Sequence, residues 1–275
     1  MENSRKNTLR KKYLSELVKH GPISWSLIRM TELEVLSDVK FKKPILELAC
    51  GDGTFSKILF KKKDSVDIGI DILEKEIKEA KKQNVYKSVE VADARNLPFK
   101  ANTFSTVFSN GSLEHIANVE KVLSEVSRVL KPNGTLVITV PSSNFSKNLS
   151  VSTLFYSFGL KSPAKFYANV VNAAFAHKNL WTANIWSKKL SRSNMTLVSH
   201  KEYNSQFIVW LHEIFFLTAI PSIIFKKITG SFFVFKNFRK ISSPFLIKLL
   251  FPLVVIDTDK RPCSLLIIAR KNAKS

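Results

Sequence analysis

Cysteine is nearly absent. The two cysteines in 275 residues, Cys50 and Cys263, exclude a disulfide framework and fit a reducing, cytosolic setting. Acids are scarce as well: 22 Asp and Glu stand against 43 Lys and Arg, a formal net charge of +21. Three explanations compete for that excess: nucleic acid, an anionic membrane surface, or a lysine-rich genome bias. The basic residues are scattered and no recognised DNA- or RNA-binding module accompanies them, so nucleic acid gains little support. From Met1 to Lys12 the chain is polar and basic and lacks an apolar core, so it does not read as a secretory signal. The length accommodates one α/β domain with elaborations, or two small domains, and a hydrophobic content of 45% supports a substantial core.

What is present starts with Ile45-Leu46-Glu47-Leu48-Ala49-Cys50-Gly51-Asp52-Gly53-Thr54-Phe55, an apolar strand, a small-residue turn and a helix start. A second apolar run, Val66-Asp67-Ile68-Gly69-Ile70-Asp71, ends in a carboxylate. This is the layout of a nucleotide-containing cofactor over the first βα turn of a doubly wound sheet. Glycines let the backbone approach the ligand, and the acid accepts hydrogen bonds from ribose hydroxyls. A dinucleotide turn needs a third spaced glycine, but Ser56 stands there, so a pyrophosphate on the helix N-terminus matches poorly. One Gly-x-Gly alone also describes an ordinary strand–helix turn.

Further segments follow in order. Ile72 to Gln83 has Ile72, Leu73, Ile77 and Ala80 at helical spacing. Lys87 to Ala92 reads as a strand running into Asp93-Ala94-Arg95-Asn96-Leu97-Pro98-Phe99. Thr103 to Asn110 is a fourth strand, followed by Gly111-Ser112-Leu113-Glu114-His115-Ile116. A helix from Val119 to Leu130 ends at the turn signature Lys131-Pro132-Asn133-Gly134, and Thr135 to Pro141 is a fifth strand.

The pattern E-x-x-C-G-x-G at Glu47 to Gly53 resembles motif I of class I S-adenosylmethionine-dependent methyltransferases. The whole succession from Phe41 to Pro141 is similar to the subgroup called type 11. The resemblance implies an α/β fold, a doubly wound, seven-stranded, mostly parallel sheet with a last antiparallel strand, and S-adenosyl-L-methionine as cofactor. It implies cofactor contacts at Glu47, Ala49, Cys50, Gly51, Gly53, Asp71, Ile72, Asp93, Ala94 and Asn110. In the family the acid at Glu47 lies near the amino-acid end of the cofactor. The acid at Asp93 binds the adenine amine, and its neighbour Ala94 offers a backbone N–H. Two positions depart from the pattern. Ala49 replaces the usual first glycine, which a methyl group permits where the backbone stays in an ordinary region. Ser105 replaces the usual Asp at the start of the fourth strand.

The C-terminal half supplies the remaining core as a helix over Trp181 to Asn194, a sixth strand over Thr196 to Tyr203 and a seventh over Cys263 to Lys271. The expected organisation is an N-terminal helical segment over 1–40 and a core over 41–204 and 258–275, with one insertion over 142–180 and another over 205–257. The later insertion is apolar, rich in Phe and flanked by Lys226, Lys227, Lys236, Arg239, Lys240 and Lys248. Phe207 to Phe225 approaches the length of a membrane span but contains His212, Glu213 and Pro221, and an ionised Glu in a bilayer is costly. A hairpin dipping into one leaflet, or amphipathic helices lying in the interface of an anionic membrane, fits the mixture better, with a hydrophobic lid or dimer surface as the competing reading. The location expected is the cytoplasm or the inner face of a membrane.

Methyl transfer is an in-line displacement, for which the protein aligns the partners and, where needed, removes a proton. Asn110-Gly111 is expected to border the methyl, and His115 is the nearest proton acceptor by sequence, the alternative being that Glu114 and His115 cap or brace the next helix. A related quinone-precursor O-methyltransferase family binds a metal through Glu-x-x-Glu-His, but Gly111 stands at the first Glu here, so no metal is expected. The acceptor is read as a small, apolar or lipid-linked molecule. Tyr13, His20, Trp25, Tyr156, Phe158, Tyr167, His177 and Trp181 are candidates to line its site. A non-catalytic membrane-associated protein and an NAD-dependent enzyme are the alternatives. The full set Glu47, Gly51, Gly53, Asp71 and Asp93 argues against the first, and the missing glycine against the second.

Overall fold

The computed structural model describes residues 2–229, 232, 236–255 and 261–273. The chain opens with helices α1 (Glu2–His20) and α2 (Ile23–Leu36). There follow β1 (Ile45–Leu48), α3 (Thr54–Phe60), β2 (Val66–Asp71), α4 (Glu74–Lys81) and β3 (Tyr86–Val91). Next are β4 (Phe104–Asn110), α5 (Val119–Val129), β5 (Leu130–Pro141), α6 (Asn144–Lys147), α7 (Ser150–Ser157) and α8 (Lys161–Ala174). The order closes with α9 (Ala183–Arg192), β6 (Met195–Ser205), α10 (Gln206–Thr229), α11 (Lys236–Val255) and β7 (Pro262–Lys271). Two compact units form. One is built from the described residues of Val39–Asn144, Val170–Glu202 and Ser264–Ser275, the other from those of Met1–Asp38, Phe145–Asn169 and Tyr203–Cys263.

The first unit holds a seven-stranded sheet in the order β3-β2-β1-β4-β5-β7-β6. The ladders β1–β2, β1–β4, β2–β3 and β4–β5 are parallel, and β7 lies antiparallel to β5. The expected α/β fold with its antiparallel last strand is therefore present. Parallel strands must be covered on both faces, which explains why β1 is buried at every residue and β4 at every residue but Ser105. One face packs Leu46, Leu48, Val107, Leu136 and Ile138 against Val122, Val126, Trp186 and Leu190. The other packs Ile45, Val66 and Val89 against Ile77 and Ala80. Chain order reverses between β1 and β4, and in such sheets the crevice beyond the strand carboxyl ends at the reversal is where ligands bind.

The sheet departs from the sequence reading at two places. The helix expected from Ile72 begins at Glu74, so Ile72 and Leu73 belong to the preceding loop and only Ile77 and Ala80 turn inward. The fifth strand begins at Leu130 rather than Thr135, because the Lys131 to Gly134 turn is taken up as an irregularity. Phe104 pairs with Leu130, yet Thr106 pairs with Thr135. Buried Lys271 holds this bulge in place, its Nζ donating to Leu130 O at 2.7 Å and Asn102 Oδ1 at 2.8 Å.

The second unit is helical. Within it α1 packs on α2 and α11, and α2 packs on α10. Two arginines fasten α1 to α11. Arg10 donates to Glu34 Oε2 at 2.6 Å and Val254 O at 3.1 Å. Arg239 donates to Val18 O at 2.6 Å and Gly21 O at 3.4 Å, satisfying carbonyls at the end of α1. On α10, His212 and Glu213 turn inward. His212 Nδ1 lies 2.9 Å from Ser24 O, while Glu213 accepts from Ser150 N at 2.6 Å and Tyr167 Oη at 2.9 Å. Of the Phe-rich stretch, Phe233, Phe235, Ile256 and Asp257 lie outside the described residues, as do the side chains of Lys227, Lys236, Phe238 and Lys240.

Candidate active site

The turn after β1 crosses the left-handed region three times, at Ala49 (φ 51°), Gly51 (φ 55°) and Gly53 (φ 73°). The expectation of an ordinary backbone at Ala49 is corrected here. The turn requires the conformation its usual glycine adopts, and the methyl group bears a cost of about 1–2 kcal/mol. Backbone bonds from Cys50 N to Ile70 O (2.8 Å) and Gly53 N to Cys50 O (3.1 Å) close the turn onto β2. A Cβ on Gly53 would stand 2.9 Å from Tyr86 Cε2 and 3.3 Å from Ala80 Cα, so this glycine is required by packing as well as by conformation. Gly51 differs: its Cβ direction meets nothing nearer than Glu76 Oε2 at 4.0 Å. That is open space where a ligand would approach.

Beneath the turn is a buried polar knot. Glu47 accepts from Ser56 Oγ at 2.7 and 2.6 Å and from Tyr86 Oη at 3.0 Å. Burial outweighs these bonds and, with Asp71 adding to it, raises the carboxyl to about 7. Cys50 directs its thiol into the same core, where burial pushes its pKa up. Both side chains brace the turn from below.

Asp71, at the end of β2, joins the two loops. Its Oδ2 accepts from Gly51 N at 3.0 Å and its Oδ1 from Leu73 N at 2.9 Å. Ile72 and Leu73 beside it are 59% and 58% exposed, an apolar ledge at the sheet edge. Asp93 lies beyond the end of β3, which pairs with β2 through Asp71 and Val91. Its carboxylate is held by Arg95, Nη2 to Oδ2 at 2.7 Å and Nε to both oxygens at 3.0 Å, and this pairing lowers its pKa. Ala94 is buried in the core. Helix α5 clamps this loop. Arg128 donates to Leu97 O (2.9 Å) and Phe99 O (2.7 Å), and Glu125 accepts from Leu97 N (2.7 Å).

At the end of β4, Asn110 Oδ1 accepts from Thr139 Oγ1 at 2.6 Å, and Gly111 N donates to Thr139 O at 2.9 Å. The loop that follows is pinned by Asn179, whose Nδ2 donates to Leu113 O (2.7 Å) and Ile116 O (2.8 Å). His115 is partly exposed. Its Nδ1 lies 3.3 Å from Ala176 O, its Nε2 lies 3.7 Å from Glu114 Oε1, and its ring stacks on His177 at 5.4 Å. Parallel register thus brings the turn after β1, Asp71, the Asp93 loop and Asn110 to one edge of the sheet, with the His115 loop following Asn110. Sequence reasoning missed Tyr86, Arg128 and Asn179. They hold the edge through partners far away in the chain, and no local pattern marks them.

The candidate acceptor residues separate. His177 and Trp181 belong to the sheet unit, where Trp181 packs edge-on against Trp186 at 5.0 Å and carries Lys189 over its ring at 4.2 Å. Tyr13, His20, Trp25, Tyr156, Phe158 and Tyr167 belong to the helical unit. There Tyr13 is core, Tyr167 bonds Glu213, and Phe158 is exposed.

The residues present suit a nucleoside-bearing cofactor: an acid for ribose hydroxyls, an apolar ledge for a base, and an open glycine edge. A family model described as a methyltransferase domain matches residues 46–138. The demethylmenaquinone methyltransferase of Symbiobacterium thermophilum is 32% identical over 111 residues, 38% of this chain and 44% of that one. The demethylmenaquinone methyltransferase of Thermotoga maritima is 30% identical over 157 residues, 56% of this chain and 67% of that one. The chain spans under half the length of the first curated relatives it matches. Among solved structures, a SAM-dependent methyltransferase from Thermotoga maritima aligns with a TM-score of 0.53 at 12% identity, over 91% of this chain and 92% of that one. The [4+2]-cyclase SpnF aligns with a TM-score of 0.54 at 13% identity, over 88% and 80%. These two likenesses concern the fold. With the matched domain, the sequence relatives and the seven-stranded topology in agreement, the chain belongs to the class I S-adenosylmethionine-dependent methyltransferases, in the type 11 group.

Proposed function

We propose that the protein transfers a methyl group from S-adenosyl-L-methionine to an apolar or lipid-linked small molecule, working peripherally at an anionic membrane on its cytoplasmic face. The observation that carries the cofactor half is the joined pair of loops, with Asp71 holding both Gly51 and Leu73 beside open space. The cofactor supplies an activated methyl group on a sulfonium, open to in-line displacement. Asp71 would hold the ribose and Ile72 would lie against the base. The backbone at Ala49 to Gly53 would approach the amino-acid portion, and the Asp93-Ala94 loop would border the adenine. Asn110 would limit the space around the reacting methyl. His115 is proposed as the proton acceptor. In the tautomer with its proton on Nδ1 facing Ala176 O, Nε2 would take the proton, and Glu114 Oε1, 3.7 Å from that nitrogen, would stabilise the imidazolium.

The acceptor half draws on two supports. The named relatives are demethylmenaquinone methyltransferases, so their names point to a quinone precursor. In addition, α10 is long and apolar enough to cross a membrane over Gln206–Lys226, with a mean hydropathy of 1.9. Its polar residues His212 and Glu213 are engaged inside the helical unit, while Ile214, Leu217, Pro221, Ile224 and Ile228 form one exposed stripe. Helical spacing makes that stripe about 21 Å long. A helix with one face packed inside the helical unit, at Ile208, Val209, Leu211 and Ala219, and an apolar stripe on the other suits contact with a membrane surface better than a crossing.

Because a cyclase shares the fold, the chemistry requires its own test. Calorimetric titration is expected to give saturable binding of S-adenosylmethionine and none of NAD. Label from the cofactor methyl is expected in a demethylated naphthoquinone carrying a short prenyl tail. Binding of NAD in place of S-adenosylmethionine would overturn the reading.

A further inference from the structure

The geometry points to a binding site for an anionic phospholipid headgroup in the groove between α1 and α11. The groove encloses about 560 Å³. On one side, Lys11, Ser15 and Lys19 stand four residues apart along α1, so they share a face. On the other, α11 contributes Ile247, Lys248 and Phe251. Lys11 reaches over the Phe251 ring at 5.4 Å. The groove therefore has a cationic rim and an apolar floor. A second depression continues it toward the start of α1 and adds Lys12.

Charge decides the occupant. Among the described residues no acid forms an ion pair with Lys11, Lys12 or Lys248. Lys19 is paired with Glu16 at 2.8 Å, a partly exposed contact that yields readily to a stronger anion. Three or four ammonium groups along one groove fit a phosphate-bearing ligand. The flank of the groove identifies which kind. Ile241, Phe245 and Leu249 run along α11 beside Lys248, and all are exposed, Phe245 by 71%. A free phosphate leaves that stripe in water, whereas a lipid headgroup in the groove places it against acyl chains. The site rests on the peripheral-membrane reading above and adds to it where on the helical unit the surface is recognised and by which chemistry. The fixed spacing of α1 against α11, set by Arg10 and Arg239, keeps the rim open without a ligand.

Sedimentation of the full chain with phosphatidylcholine vesicles, with and without 30% phosphatidylglycerol, tests this. Wild type is expected to partition onto the anionic vesicles only. The variant Lys11→Gln/Lys19→Gln/Lys248→Gln is expected to lose roughly a hundredfold in partition, about fivefold per lysine. A control, Lys62→Gln/Lys63→Gln/Lys100→Gln in the sheet unit, removes the same charge and is expected to lose only severalfold. Both variants are checked by circular dichroism and by titration with S-adenosylmethionine, which neither should alter. Equal losses in the two variants would mean that overall charge alone attracts the membrane, and the groove site would be wrong. Displacement of wild type from vesicles by millimolar inorganic phosphate would reassign the groove to free phosphate. If wild type ignores anionic vesicles, the peripheral reading fails with it, while cofactor titration still decides the methyltransferase reading on its own.

Discussion

The carboxylate of Asp71 spans two loops, taking Gly51 N at 3.0 Å on one oxygen and Leu73 N at 2.9 Å on the other. It is thus a structural bracket as well as the proposed ribose acceptor. Asp71→Ala is expected to weaken S-adenosylmethionine binding at least tenfold, since each charge-assisted hydrogen bond lost is typically ~1.5–3 kcal/mol. It should also lower the melting temperature, because both N–H groups lose their acceptor. Asp71→Asn keeps one acceptor and should melt between the two. Calorimetry and thermal melts on the three proteins check this, and unchanged affinity in the alanine variant would move the cofactor elsewhere.

The three left-handed residues of the turn should respond differently. Ala49→Gly relieves the strain of a methyl at φ 51° and is expected to stabilise the fold by about 1 kcal/mol. Gly53→Ala collides with Tyr86 and the α4 backbone and should cost roughly 2 kcal/mol or more. Gly51→Ala bears only the conformational cost, about 1 kcal/mol, yet places its methyl in the open space where a ligand would lie. Its stability loss should therefore be modest and its loss of cofactor affinity large. Urea melts and titrations of the three variants separate these effects.

Glu47 makes stability depend on pH. Its carboxyl sits near 7 in the fold against an ordinary 4.5, chiefly through burial. Folding therefore takes up a proton between those values. The stabilising protonated form is fully present below about 4.5, and stability falls as pH rises toward 7 and levels off above. The size of the effect is about 3 kcal/mol. Glu47→Gln mimics the protonated acid, so it should melt above wild type at pH 8 and close to it at pH 5. Parallel curves for the two proteins across that range would contradict the assignment.

The strands that form the edge were legible because each is an apolar run closed by a chemically distinct residue, as Val66 to Asp71 is. Legibility ended where structure depends on distant partners. Lys131 to Gly134 does carry turn chemistry, with Asn133 at φ 61°, but the sheet pairs across it and begins the strand at Leu130. Ile72 and Leu73 fit a helical period with Ile77 and Ala80, yet the bond from Leu73 N to Asp71 holds them in the loop. At Ala49 the residue type suggested an ordinary backbone, and the geometry of the turn prevailed over that preference. The supports of the candidate site, Tyr86 under Glu47 and Arg128 behind the Asp93 loop, reach across 39 and 31 residues. No window along the chain contains both members of such a pair.

One of the two arginines that fasten α1 to α11 has a consequence for biosynthesis. Arg10 meets Val254 O across 244 residues, so the helix that α1 packs on is made long after α1 itself. At typical synthesis rates of about 5–20 residues per second, that interval is roughly 10 to 50 s. Throughout it, α1, whose Leu14, Leu17 and Val18 are fully buried in the finished protein, has only α2 of its two helical partners. The helical unit is thus assembled from the described parts of three separated stretches, and a nascent chain of this sequence places its demand on chaperones in the interval before α11 emerges.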